Sequence, residues 1–298
     1  MNMSQMNCNE VTDSSKLNLA ERLRRPGSVT TIELRPPEKD IIESSDTNRL
    51  ATINYSMQDL VLNDFFVFLT DQAVGLSEEE SLSYLEANMG SEIPISRFVP
   101  FLTCKHTLEY CLNFADRAHS LGCKSIVVVG GDKSVGLPRC VPHSYFLREQ
   151  IRKRQPEISL GGWINPHKDL LKQIDYLTSG DFLADFYLTQ IVSHHSVDLV
   201  AEFLEECDKR NVKIPGLFGV FYYWNAKPVT LKRLDDFLPV PIDELTREFD
   251  AGDTPEAVVV RTIRALKGVG AKNIYLSNLG YKRVHDRLKK ILEQSSVI

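Results

Sequence analysis

No run of about 18 apolar residues occurs in this chain, so no segment is expected to cross a bilayer as a helix. Basic residues do not predominate. Lys and Arg number 35 against 40 Asp and Glu, a formal net charge of -5, which argues against nucleic acid as the main partner. The six cysteines (Cys8, Cys104, Cys111, Cys123, Cys140 and Cys207) form no Cys-x-x-Cys pair and no zinc-ligand spacing. Scattered in this way, they fit buried thiols in a reducing cytoplasm rather than a disulfide framework. No Gly-Lys-Ser/Thr is present, which excludes a P-loop. Residues 1–16 are polar, rich in Ser and Asn, and lack the apolar stretch of a secretory signal. They are expected to form a flexible tail ahead of one domain over 17–298.

The chain does have enough apolar residues, 43% against 25% charged, to bury a sizeable core over its 298 residues. Short β-branched or aromatic runs alternate with longer amphipathic segments, the pattern of a parallel sheet with helical crossovers. Eight candidate strands can be marked: Thr30–Leu34, Phe65–Thr70, Phe98–Thr103, Ser125–Val129, Ser159–Trp163, Phe186–Gln190, Gly216–Phe221 and Asn273–Asn278. Helical spacing of apolar residues predicts helices over Leu108–Leu121 and Val197–Arg210, and a short one near Leu17–Arg25. Thr254, Pro255 and Glu256 have the order of an N-cap and first turn for a helix reaching Lys267, with Gly268 and Gly270 ending it. Eight such units without a low-complexity linker predict one closed α/β barrel, a (β/α)8 TIM barrel. An open doubly wound sheet is the alternative. It usually carries a Gly-rich turn after its first strand, where this chain has Glu33-Leu34-Arg35-Pro36-Pro37.

Active sites of such barrels lie at the C-terminal strand ends. Those ends carry Glu33, Asp71 with Gln72, Thr103 with Cys104, Asp132, Asn165 with His167, Gln190, Tyr222 with Tyr223, and Asn278. Glu33 and Asp132 are a carboxylate pair. In a partly dry cleft their proton affinities would separate, leaving one as an acid and the other ionised. Against this stands the ordinary role of a single carboxylate in a salt bridge or cap. The glycine-rich segment Gly130–Gly136 offers close backbone approach to a phosphate or flat ring, or is simply a tight turn. Adjacent His194 and His195 are expected to point in different directions, so no metal site is expected there. The run Phe221-Tyr222-Tyr223-Trp224 offers aromatic faces to a flat ring, or packs against a neighbouring loop.

Five of these segments, in order, resemble the methylenetetrahydrofolate reductase family from about Thr30 to Leu292. Thr31-Ile32-Glu33-Leu34-Arg35-Pro36-Pro37 resembles the family's opening strand, whose Glu is the proton donor. Phe101-Leu102-Thr103-Cys104 resembles its His-Leu-Thr-Cys motif, and Val129-Gly130-Gly131-Asp132 its Leu-Arg-Gly-Asp motif. Ala184-Asp185-Phe186-Tyr187-Leu188-Thr189-Gln190 resembles its Gly-Ala-Asp-Phe-x-x-Thr-Gln strand, whose Gln contacts the pterin. Ile214-Pro215-Gly216-Leu217 resembles its Ile-Pro-Gly-Ile turn. The departures fall on flavin contacts. Gly130 stands for an Arg and Phe101 for a His. Asp71-Gln72 replaces Tyr-Gly, and Trp163-Ile164-Asn165 replaces Tyr-Pro-Glu, while His167 keeps its offset. That pattern resembles the family's flavin-independent branch.

The resemblance implies a cytoplasmic oxidoreductase that reduces 5,10-methylenetetrahydrofolate to 5-methyltetrahydrofolate with hydride from NADH or NADPH, and no tightly bound FAD. Glu33 and Asp132 are then catalytic. Gln190, Thr103, Tyr222 and Tyr223 are assigned to the folate, and Thr70, Gly131, Trp163, His167 and His194 to the cofactor. No metal, membrane, nucleic acid or obligate protein partner is implied. The alternatives are a flavin-dependent reductase of the same family, a methyl-transferring folate barrel, and a folate-binding subunit without turnover.

Overall fold

A computed structural model describes residues 17–38, 41, 47–71, 80–131 and 138–296. Eight parallel strands close on themselves in sequence order: β1 Thr30–Leu34, β2 Val67–Leu69, β3 Phe98–Thr103, β4 Ser125–Val129, β5 Ser159–Ile164, β6 Phe186–Ile191, β7 Gly216–Phe221 and β8 Ile274–Ser277. Closure is made by β1 and β8, with Thr30 beside Ile274 and Ile32 beside Leu276. The chain is a single (β/α)8 barrel. The helices are α1 Leu19–Arg24, α2 Thr47–Leu62, α3 Ser81–Asn88, α4 Leu108–Leu121, α5 Ser144–Arg154, α6 Leu170–Thr178, α7 Val197–Lys209, α8 Pro228–Asp235, α9 Ile242–Asp250, α10 Pro255–Gly268 and α11 Val284–Ser296. None of the described helices is long and apolar enough to cross a membrane. The expected tail over residues 1–16 lies outside the described residues.

Strand parity divides the core in two. Alternate residues of a strand face opposite sides. One set, including Ile32, Leu34, Val67, Leu102, Ile126 and Leu160, packs outward under the helices. The other, including Phe68, Phe101, Val127, Leu188, Leu217 and Tyr275, fills the barrel. Leu19, Ala20 and Leu23 of α1 join this inner cluster, so α1 closes the N-terminal end. Its start is held by a reciprocal cap between Asn18 and Glu21, and the Leu19 amide donates to Ser125 Oγ at 3.2 Å. The barrel is therefore plugged below and filled in the middle, leaving its C-terminal rim for ligands.

Two local features shape that rim. Gly219 of β7 lies against the Tyr275 ring. A Cβ there would stand 2.5 Å from the Tyr275 hydroxyl, so the strand needs glycine for the ring to lie across the barrel. β6 carries a bulge between Leu188 and Ile191, where the register to β7 slips by one residue. Thr189 repairs the break: its Oγ1 accepts from the Gly219 amide at 3.1 Å. The strand-end reading of the sequence extends β6 to Gln190 and has no signal for this bulge.

The expected helix over Leu108–Leu121 forms with those bounds and ends at Gly122, which has the left-handed φ of 101°. Thr254 caps α10 through the Ala257 amide at 3.2 Å, as its sequence predicts. Among the cysteines, Cys104, Cys111, Cys123 and Cys207 are buried free thiols, but Cys140 is exposed. Cys8 lies outside the described residues.

Candidate active site

Glu33 is the penultimate residue of β1, and parity turns it inward, beside Phe68 of β2. Beneath it the aromatic rings of Phe68, Phe101, Trp163 and Tyr275 fill the barrel; Phe68 and Tyr275 centroids are 6.1 Å apart, and Trp163 and Tyr275 6.5 Å. Ser277, at the end of β8, donates its hydroxyl to Glu33 Oε1 at 2.6 Å. Burial raises the Glu33 pKa above its ordinary 4.5, against the smaller opposing effects of the Ser277 hydrogen bond and the Arg35 charge. The carboxyl faces a cleft of roughly 210 Å³ lined also by Arg35, Arg49, Phe221, Ser277 and Asn278. Asn278 holds the left-handed φ of 67°, an uncommon conformation for a non-glycine residue. It is fixed there from both sides. Its Nδ2 donates to the Tyr222 carbonyl, and its own carbonyl accepts from Trp224 Nε1, each at 2.9 Å.

A raised carboxyl pKa has a definite consequence for stability. Below 4.5 the group is protonated in both folded and unfolded chains and contributes nothing. As pH rises from there, the unfolded chain ionises first, so folded stability falls until pH passes the folded pKa of Glu33. Above it the full penalty stands, about 1.4 kcal/mol for each tenfold gain in proton affinity. Glu33→Gln is therefore expected to gain stability relative to the parent as pH rises above 4.5, measured as urea midpoints across that rise. A variant that loses ground over that range would show that an ionised Glu33 stabilises the fold.

The other strand ends divide. Trp163 points into the barrel under the rim and Thr103 is buried at the end of β3, its amide donating to Asp71 Oδ2 at 2.9 Å. Thr70 is buried at the end of β2, its amide bonded to the Leu34 carbonyl at 3.2 Å. Gly131 is half-buried after β4 with φ of 76° and lies against the Lys105 side chain. His167 Nε2 donates to the Ile191 carbonyl at 2.8 Å, because a carbonyl only accepts; its neutral form therefore has Nδ1 as an acceptor. Gln190 is half-buried at the bulge, with Oε1 accepting from the Ile191 amide at 2.9 Å. Its carboxamide nitrogen has no partner among the described residues. Asp132 lies outside the described residues.

Three expectations change. Tyr222 and Tyr223 do not line the cleft. Tyr222 is buried on the outer side of the wall, its hydroxyl donating to Glu256 of α10 at 2.8 Å, and Tyr223 is buried with Leu231 and Leu245 of α8 and α9. Phe221, one residue earlier and of inward parity with Leu217 and Gly219, is the aromatic at the cleft. Counting alternation forward from the buried Leu217 would have found it. His194 is turned from the barrel mouth toward α9 and α10: Nδ1 lies 2.9 Å from Thr262 Oγ1 and Nε2 2.6 Å from Glu248 Oε1. His195 does not diverge from it. Its Nε2 reaches the same Glu248 oxygen at 3.3 Å.

Sequence reasoning also missed His106 and Arg139. His106 Nε2 bonds both Asp71 oxygens at 2.9 and 3.1 Å, its ring stacks on Tyr110 at 4.4 Å, and the Asp71 hydrogen bond raises its pKa. Asp71 is thus matched by an imidazole that its own hydrogen bond biases toward the protonated form. Arg139 places its guanidinium in the space that a side chain at Gly130 would fill and donates to the Gly131 carbonyl at 2.9 Å. Its Nε is buried and has no partner among the described residues. Asp185, part of the resembling β6 segment, is structural: its Oδ2 accepts from the Leu160 amide at 2.7 Å and from Arg152 at 2.5 Å, tying β5 to the start of β6.

Fold and rim together define a (β/α)8 barrel whose C-terminal mouth holds a carboxyl of raised proton affinity over an aromatic floor. Comparison with protein-family models and with curated proteins finds no match to this chain.

Proposed function

We propose that this protein reduces 5,10-methylenetetrahydrofolate with hydride from a reduced nicotinamide, as the sequence resemblance implies. The observation that carries the reading is Glu33: a carboxyl with raised proton affinity, hydrogen-bonded by Ser277 at the mouth of the barrel. The substrate's five-membered ring must open before hydride can add, and opening requires a proton at N10. Glu33, whose burial raises its affinity for a proton, is the general acid in this reading. The aromatic floor of Phe101 and Trp163 keeps water from competing for it. Gln190 has the donor and acceptor that suit the amide edge of a pterin. The cation left at N5 after opening needs a negative charge nearby, and Asp132 is assigned that part on its sequence position alone.

A flavin dinucleotide fits these residues poorly. Phe101 offers no hydrogen bond and Gly130 no side chain. Against that, Arg139 fills the Gly130 space with a cation, and its Nε–H, unpartnered among the described residues, favours the flavin-dependent reading of the same family. The nicotinamide supplies hydride in either case. The two readings separate in one experiment: the purified chain is denatured and assayed for released flavin, and oxidation of NADH and of NADPH is followed with methylenetetrahydrofolate, with and without added flavin. Turnover without flavin is expected. Stoichiometric flavin, or activity that appears only on adding it, supports the second reading. No oxidation under either condition removes both.

A further inference from the structure

A short turn after β6, His194–Ser196, holds two imidazoles against one carboxylate. Ser193 caps it: its Oγ accepts from the His195 amide at 3.2 Å. The His194 and His195 ring centroids are 3.9 Å apart. The candidate ligand atoms of His194, His195 and Glu248 all lie within 4.8 Å of one another. Glu248 comes from α9, over 50 residues further along the chain. The hydrogen bonding around it is lopsided. Oε1 receives His194 Nε2 at 2.6 Å, His195 Nε2 at 3.3 Å and Arg261 Nη1 at 2.6 Å, while Oε2 is buried with no partner among the described residues. An ordinary ion pair shares its donors between both oxygens. Here three donors crowd one oxygen and leave the other bare.

We propose that His194, His195 and Glu248 form a binding site for a divalent transition-metal ion such as Zn²⁺. Two imidazole nitrogens and a carboxylate oxygen are a ligand set that zinc favours, and they leave a fourth position for water or an exchangeable ligand. Zinc bonds of about 2.0–2.1 Å at tetrahedral angles put ligand atoms about 3.3 Å apart. The pair formed by His195 and Glu248 already has that separation. His194 needs to recede by less than about 1 Å. The outer contacts are in place: Thr262, buried in α10, sits 2.9 Å from His194 Nδ1 and orients the ring. Among the described residues Arg261 is the competing cation, and it does not depend on Glu248 Oε1. Its Nη2 already holds Asp253 at 2.8 Å, and Glu248 Oε2 is free to receive Nη1. A metal here would tie the turn after β6 to α9. The site is separate from the Glu33 cleft and does not depend on the folate reading.

The test uses the untagged full chain, stripped with chelator and titrated with Zn²⁺ by calorimetry and with Co²⁺ by visible absorption. The expected result is one equivalent per chain, with a Co²⁺ spectrum free of thiolate charge-transfer bands. His195→Ala should weaken binding by more than the roughly 10–100-fold that losing an outer partner costs. Glu248→Gln should do the same. Thr262→Val, which removes only a positioning contact, should cost roughly 10-fold and alter the Co²⁺ spectrum. His195 stands on the turn rather than in the core, so His195→Ala is expected to keep the parent's circular dichroism if Glu248→Gln does not. Absence of a stoichiometric ion overturns the proposal. So does undiminished affinity in His195→Ala, or a thiolate band, which would place the metal on a cysteine such as exposed Cys140.

Discussion

On the proposed reductase reading, Glu33→Gln is expected to lower turnover of methylenetetrahydrofolate by roughly 10²-fold or more while leaving folate affinity nearly unchanged. The substitution is close to isosteric, and the carboxamide can still accept from Ser277 at the 2.6 Å contact, so the cleft keeps its shape. What is lost is the transferable proton. Because that proton matters as the ring opens and not as folate binds, the loss should fall on kcat rather than on KM. The pH profile gives an independent check. If Glu33 acts as the acid, the parent's rate should decline as pH passes above the raised pKa of Glu33, and the residual rate of Glu33→Gln should lack that limb. A variant with the parent's rate and the parent's profile would remove Glu33 from the chemistry and leave its raised pKa as a cost of burial.

The largest effect on stability is expected at Arg148. This residue of α5 is fully buried, and among the described residues its hydrogen-bond partners include no carboxylate. Its guanidinium instead donates to the Phe182 carbonyl at 2.7 Å, the Val128 carbonyl at 3.1 Å and the Tyr176 hydroxyl at 2.6 Å, and it lies over the Phe182 ring at 5.2 Å. Burial lowers its proton affinity, the signature of a charge taken out of water. Arg148→Met removes that desolvated charge, which helps, but strands three oxygen acceptors at about 1–3 kcal/mol each. The acceptors outweigh the charge because each was donated to by an ionised group, and a net loss of about 3 kcal/mol is expected. Arg148→Lys keeps the charge but not the planar fork that reaches three acceptors, and should recover only part of it. Urea midpoints of the three proteins measure this. A loss below about 1 kcal/mol in Arg148→Met would mean that water or a backbone shift satisfies the orphaned groups.

Much of the fold is written in local pattern. Alternation of β-branched and amphipathic segments marks all eight strands to within two residues at either end. The Thr254 cap and the Gly122 stop need only their immediate neighbours. Strand ends are equally local, which is why Glu33, Thr103, Trp163 and Gln190 can be named from sequence as rim or near-rim residues. The direction of a side chain at a rim is harder. Phe221, Tyr222 and Tyr223 are consecutive aromatics with the same preferences, and parity sends only the first to the cleft. Gln190 sits on a bulge that shifts parity by one, with no glycine to announce it.

What the sequence by itself determined about this protein is its (β/α)8 class and the list of polar groups at the strand ends, because periods of 2 and 3.6 residues are properties of neighbouring residues. Only the tertiary structure decided which of those groups meet. Ser277 reaches Glu33 across 244 positions because β8 closes on β1. Asp71 finds His106 across 35, and Glu248 finds His194 across 54. The raised pKa of Glu33 belongs to the same category. Burial is a property of the closed barrel and its aromatic filling, and a carboxyl read along the chain has no desolvation until the strands on both sides of it are in place.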